Sequence, residues 1–247
     1  MKADPSAQER LLDLQDLDSR ADQLRHQRRT LPELARLAEL TEQRAETNGH
    51  AADARIAVDD LTLEQKKVDA DVESVKARRE RDQQRMDQGL VSNPKDLQRM
   101  QEEMVSLTRR ITSLEDDEIE VMERLEEAQT GFDALSREVA AMDAEIADVT
   151  TARDARLAEI DESLARLDTE RGPVTADLPD DLVALYSRLR ESKGGVGAAL
   201  LRARRCEGCN LDLDHAELAT IRQAPADEVV RCDECSRILV RTSDSGL

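Results

Sequence analysis

Aromatic side chains are nearly missing from this sequence. The 247 residues include one phenylalanine, Phe132, one tyrosine, Tyr186, and no tryptophan. Aromatics supply much of the area buried in a globular core, so the composition argues against a compact α/β enzyme. No apolar run approaches the roughly 20 residues that span a bilayer, and Met1-Lys2-Ala3-Asp4-Pro5 lacks a signal-peptide core. The expected location is therefore cytoplasmic, without membrane contact. Basic residues are also in short supply, with 36 Lys and Arg against 55 Asp and Glu, a net charge of −19. Such a surface repels nucleic acid as a whole, so binding there would need a local patch. Cysteine occurs only four times, and in a reducing compartment four thiols point to metal rather than to disulfides.

What the chain does contain is charge and helix formers. Charged residues make up 37% of it, and a surplus of Ala, Leu, Glu and Arg is the composition of long helices or coiled coil. From Leu97 the apolar residues alternate by three and four through Met100, Met104, Leu107, Ile111 and Leu114. After Glu118 the count continues through Val121, Leu125, Ala128, Phe132, Leu135, Val139, Met142, Ile146 and Val149. This is a heptad seam that needs a partner helix. It resumes after Arg153 with a second four-residue step at Leu157, Ile160, Leu164 and Leu167, a stutter in the repeat. A weaker seam runs back from Met86 through Val75, Val72, Val68, Leu61, Val58 and Ala54.

Between the seams, Gly89 is a helix stop, while Asn93, Pro94 and Asp96 form a helix start. The pattern predicts an antiparallel coiled-coil hairpin over 1–175 with its tip near 87–95. Folding the chain about residue 91 sets Pro32 opposite the stutter, which predicts a kink near 32 and 150–157. It also sets Asn48-Gly49-His50 opposite Phe132, whose ring is expected to fill the space left by the small residues. Helices of about 75 residues would make a rod of roughly 110 Å. Gly172-Pro173 is expected to end the second arm. A short helix opening at Pro179-Asp180-Asp181, with Leu182, Leu185, Tyr186 and Leu189 on one face, and a linker occupy 176–195. Val196 to Leu201 alternates as a short strand.

The remaining 196–247 reads as a small zinc ribbon of short β-strands plus one short helix, near Asp214 to Arg222. Its signature is Cys206-Glu207-Gly208-Cys209 and Cys232-Asp233-Glu234-Cys235. Two residues between thiols let one tight turn offer both sulfurs to an ion, and two such turns complete a tetrahedron. The expected cofactor is one structural Zn2+ on Cys206, Cys209, Cys232 and Cys235. A redox C-x-x-C belongs at a helix start in an α/β domain, which neither pair has. His215 is read as a solvent-facing helical residue, and His26 and His50 as surface residues.

No catalytic arrangement is legible, so the chain is read as a non-enzyme without a small-molecule substrate. The acidic runs are solvated helix faces, and Gly194-Gly195-Val196-Gly197 lacks the following Lys-Ser/Thr of a phosphate loop. Residues 196–247 hold seven Arg, no Lys and nine acids, a net of −2 in a chain of −19. Arg202, Arg204 and Arg205 crowd the first cysteine pair, and Arg231, Arg237 and Arg241 lie beside the second. Arginine suits bidentate phosphate contacts, so these six are candidates for RNA or DNA binding. The competing reading is surface arginine beside neighbouring acids, with a protein partner docking along the coiled coil.

The combination resembles the bacterial C4-type zinc-ribbon proteins with an N-terminal coiled-coil hairpin. The resemblance rests on Ser92-Asn93-Pro94-Lys95-Asp96-Leu97 followed by Gln101-Glu102-Glu103, and on Leu182 to Arg190. It rests also on Val229-Val230-Arg231-Cys232 and Cys235-Ser236-Arg237-Ile238-Leu239. Ser236 stands where the family often has glycine, and Leu97 where the tip often has an aromatic. The resemblance implies a non-enzymatic adaptor in a family described as nucleic-acid-binding, with RNA, sigma-factor or secretion-system partners in different lineages.

Overall fold

A computed structural model describes residues 1–247. The elements run α1 (Pro5–Arg29), α2 (Pro32–Asp87), α3 (Pro94–Ala176), α4 (Asp180–Ser192), β1 (Ala198–Arg202), β2 (Arg205–Cys206), α5 (His215–Gln223), β3 (Val230–Arg231) and β4 (Ile238–Val240). A 3-10 turn, Ser243–Ser245, follows. The chain is mainly α, a long helical hairpin followed by a small strand and short-helix region. Contacts divide it into two compact units, Ala35–Thr150 and Met1–Leu34 with Thr151–Leu247.

Within Ala35–Thr150 the hairpin closes through two complementary end signals. The Leu90 amide donates to the Arg85 carbonyl at 3.2 Å and the Gly89 amide to Met86 at 3.0 Å. This six-to-one, five-to-two pair needs a left-handed residue, and Gly89 supplies it at φ +65°. Four residues beyond Gly89, Asn93 caps the next helix by accepting the Lys95 amide at 3.0 Å. All sixteen positions of the Leu97–Val149 seam are buried or half-buried, while Val105 and Ile119, off the seam, are exposed. Ion pairs such as Arg44–Asp143 (2.9 Å) and Arg124–Glu64 (3.4 Å) flank it.

These two pairs, which bracket Phe132, centre on about residue 94, whereas Arg36–Glu145 and Arg78–Glu103 centre on about 91 as expected. That offset corrects the expected neighbour of Phe132. A Cβ at Gly49 would meet nothing within 4 Å, and the ring instead lies under the Arg55 guanidinium, 5.5 Å from its centroid. The cation over the ring face is an attraction of roughly 0.5–1 kcal/mol at an exposed site.

In the other unit, Thr30 and Leu31 separate α1 from α2, and α3 is helical throughout 151–176. Gly172-Pro173 does not end α3, which continues for one more turn with Pro173 inside it. A proline withdraws its amide from the carbonyl four residues back. Here that residue is Thr169, which is exposed to water.

The sheet order is β2-β1-β4-β3, with β1 parallel to β4 and the outer pairings antiparallel. The first strand begins at Ala198, two residues later than the sequence pattern suggests. Strand alternation gives the sheet two apolar faces. Ala198, Ile238 and Val240 join Ala3, Ala7, Leu11 and Leu14 from the N-terminal segment and Leu182, Tyr186 and Leu189 of α4. Ala199, Leu201 and Leu239 face the other way, onto Leu213, Leu218 and Ile221 and the two buried cysteines. The three β4 residues are therefore all buried.

The N-terminal residues are stitched to the ribbon directly. The Ala3 amide donates to the Asp227 carbonyl (2.8 Å) and the Val229 amide to Met1 (3.0 Å). Gln8 donates to Ala226, and Gln15 takes the Gly197 amide at 2.8 Å while donating to the Gly195 carbonyl at 2.9 Å.

A four-cysteine metal centre

Each cysteine pair sits on the same backbone device. In the first, the Asn210 amide donates to the Cys206 carbonyl at 2.7 Å, and Asn210 takes φ +61°. In the second, the Ser236 amide donates to the Cys232 carbonyl at 2.7 Å, and Ser236 takes φ +64°. A left-handed residue after the second cysteine turns the chain back, so both sulfurs of each pair point to one side. Non-glycine residues hold that conformation at a cost of about 1–2 kcal/mol each. Gly208 is required for a different reason. A Cβ there would lie 2.7 Å from Arg237 Cδ and 2.9 Å from Ala199 Cβ.

The four sulfurs lie within 4.8 Å of one another. Cys206 Sγ is 3.8 Å from Cys235 Sγ, and Cys209 Sγ is 3.9 Å from Cys232 Sγ. Four thiolates at about 2.3 Å from zinc stand about 3.8 Å apart along the edges of a tetrahedron. The cysteines are thus positioned to bind one zinc ion. Cys206 and Cys232 are buried, Cys209 and Cys235 half-buried. Burial pushes the Cys206 thiol up to about 11 and Cys232 higher still. Burial acts the same way on Cys235, but hydrogen bonds from the Arg237 amide, the Cys232 thiol and the Arg237 side chain carry it down to about 7.

The insert between the pairs is α5, the short helix expected near Asp214 to Arg222. Asp214 accepts the Glu217 amide at 2.7 Å, and Glu217 in turn accepts the Asp233 amide at 3.0 Å. His215 is exposed and outside the metal cluster.

The six arginines divide into two sets. Arg241 donates to five backbone carbonyls, those of Ile221, Ala224, Pro225, Ala226 and Glu228, at 2.7–3.3 Å. Arg237 donates to Val196 (2.9 Å) and Lys193 (2.7 Å). Both are half-buried braces of the fold. The other four are exposed. Arg231 donates to Ser236 O at 2.8 Å, Arg205 forks onto Asp212, and Arg202 lies 3.7 Å from Glu207. Arg202, Arg204 and Arg205 share the β1–β2 turn, where Ala203 and Arg204 both take positive φ.

A polar cluster that sequence reasoning missed lies under the N-terminal helix. Asp18 is 4% exposed. It accepts from Arg171 Nε at 2.8 Å and from the Tyr186 hydroxyl at 2.9 Å, and Arg190 Nε stands 3.6 Å away. Arg190 also pairs with Asp22. Burial first, and the Asp18 charge second, hold the Tyr186 phenol far above its ordinary value, so it remains a donor. The one available signal was a pair of polar residues, Gln15 and Asp18, inside the leucine stripe Leu11, Leu14, Leu17.

Fold and site together define a helical hairpin protein carrying a C4 zinc ribbon. A model of the CT398-like coiled coil hairpin domain matches residues 14–194, and a model of the C4-type zinc ribbon domain matches 205–239. The chain belongs to this CT398-like coiled-coil hairpin family. An uncharacterized protein of Mycobacterium tuberculosis is 37% identical over 241 residues, 98% of both chains. A solved structure from Mycobacterium smegmatis superposes with a TM-score of 0.85 at 37% identity, over 98% of this chain and 100% of that one. CT398 from Chlamydia trachomatis, at 18% identity and a TM-score of 0.67, covers 95% of this chain and 97% of its own. That last likeness speaks for the fold alone. No helix is long and apolar enough to cross a membrane.

Proposed function

We propose that the chain is a non-enzymatic adaptor whose zinc is structural and whose hairpin offers the docking surface for a protein partner. The observation that carries this reading is the closed donor set. Four thiols at tetrahedral separations leave no coordination position for water or substrate, and catalytic zinc needs one. Cobalt substitution tests it. The visible bands of tetrahedral tetrathiolate cobalt should be unmoved by added imidazole. A shifted spectrum would mean an open position and overturn the structural role.

One observation favours nucleic acid as the partner. Arg202, Arg204 and Arg205 stand exposed on one turn, and Arg204 has no ion pair. A salt series of RNA and DNA binding with the zinc-loaded protein and an Arg202/Arg204/Arg205→Glu variant decides this. Binding that falls steeply with salt, and is lost in the variant, makes the ribbon a phosphate-contacting module. Equal or absent binding by both proteins returns the search to protein partners of the hairpin.

A further inference from the structure

We propose that the hairpin tip of one chain docks into a lateral groove on the hairpin of a second copy, and the second tip into the first groove. The two hairpins would overlap antiparallel about a two-fold axis. This goes beyond the adaptor reading and is independent of what the zinc does.

The groove lies beside the seam. Ile119 and Met122 form its floor, 56% and 48% exposed. Thr62 and Gln65 of α2 form one wall, and Glu123 and Glu126 stand on the rim; its volume is about 520 Å³. Neither glutamate is engaged in an ion pair, and both faces of the floor residues are off the seam that α2 covers.

The tip complements it in apolar surface and in sign. Leu90 is 66% exposed, held outward by the fixed backbone turn at Gly89 rather than by a loose loop. Residues 76–110 carry nine basic and six acidic side chains, a net of +3 in a chain of −19. Residues 111–132, which carry the groove, hold eight acids and one arginine. Arg81, Lys95, Arg109 and Arg110 are exposed and without ion pairs in their own chain. One hairpin therefore carries both an unspent basic end with an apolar point and an unspent acidic cleft with an apolar floor.

Their spacing lets both contacts form at once. Met122 lies 28 residues along α3 from its start at Pro94, about 40 Å at 1.5 Å per residue. An antiparallel overlap of that length sets each tip at the other copy's groove. It also lays each basic end along the acidic stretch opposite. Two identical contacts related by one axis close the assembly, where a single head-to-tail contact would run on as a filament.

Sedimentation velocity on the zinc-loaded full chain reads the outcome. Wild type should show a reversible monomer–dimer equilibrium weakened at least about tenfold in roughly 1 M salt, where the screening length falls to about 3 Å. Two charge-reversed variants, Arg81/Lys95→Glu and Glu123/Glu126→Lys, alter exposed positions only; circular dichroism checks that their helix content is kept. Each alone should be monomeric, because its own tip and groove repel. Mixed in equal amounts they should dimerise, because the tip of each then matches the groove of the other. A wild type that stays monomeric at every concentration overturns the proposal. So do variants that dimerise alone as wild type does, or a mixture that fails to restore the dimer.

Discussion

The two compact units solve the same composition problem in opposite ways. Residues 35–150 bury few side chains completely, among them Leu40, Val58, Val72, Ile111, Leu114 and Val121, and depend on a repeated apolar line between two helices. The unit built from 1–34 and 151–247 has a sheet with apolar residues on both faces, a metal site and a buried carboxylate. Repetition tolerates local change, since each layer of a seam resembles the next. The second unit has no repeats, and its parts depend on single residues: Asp18 between two arginines, Gln15 on the Gly197 amide, four thiols on one ion. With hardly any aromatic area, polar specificity and metal stand in for core volume.

The comparison can be broken most forcefully at the metal. Cys206→Ser should release zinc and unfold the ribbon, since small domains of this kind draw their folding energy from the ion. Because α1 and α4 share a core with β1 and β4, hydrogen exchange should show lost protection over 198–240 and on the Leu11–Leu14 face of α1. Amides near Val58 and Leu114 should keep theirs. Uniform loss across both sets would mean one cooperative unit.

Asp18→Ala comes next. Removing a buried carboxylate takes their acceptor from Arg171 and the Tyr186 hydroxyl, while Arg190 keeps Asp22, and should cost about 2–3 kcal/mol, read as a lowered denaturation midpoint for signals from this unit. An effect below about 1 kcal/mol would make the cluster ornamental. Acidity probes the same unit through the thiols. Zinc takes thiolates, and Cys206 and Cys232 hold their protons at pH 7 in the metal-free ribbon. Metal binding must expel at least these two, so affinity should rise by at least on the order of a hundredfold per pH unit there. Calorimetry in buffers of different ionisation enthalpy counts the protons, and fewer than about one would contradict the burial argument.

In the hairpin, Leu114→Ala should cost only about 2–3 kcal/mol, the low end for a buried leucine, because a seam one layer thick can close around the gap. A loss above about 5 kcal/mol would give the seam the character of a globular core. The smallest change is a gain. Ser236→Gly should stabilise the ribbon by about 1 kcal/mol by relieving a left-handed serine, seen as slower zinc transfer to a chelator.

The legible features were those with local causes. The seam, the Gly89 stop, the Asn93 start, the short insert helix and both cysteine turns are written within a few residues of where they act. Pro173 misled because a proline one turn before a helix end withdraws a single amide, here from the carbonyl of exposed Thr169, and the last turn still forms. Phe132 misled because a fold-back axis shifted by about three residues changes which side chain it meets. Leu11, Leu14 and Leu17 read as more hairpin, since an apolar stripe does not name its partner. The sheet and α4 that cover Leu11 and Leu14 lie more than 160 residues away. The candidate arginines could be found by counting, but not sorted. Whether a guanidinium braces five carbonyls, as Arg241 does, or faces water, as Arg204 does, depends on where the backbone passes.

The bonds between residues 1–3 and 227–229 have a consequence during synthesis. The helix α1 is translated long before its apolar partners, which lie in α4 and in the ribbon beyond the whole hairpin. The hairpin can zip up as α3 emerges, since each of its layers follows the one before it. Leu11 and Leu14 can meet Leu182, Tyr186 and Leu189 once α4 is made, but their cluster is complete only with Ile238 and Val240. The second cysteine pair lies between β3 and β4, so metal capture and the completed docking of α1 both follow the closing of the hairpin.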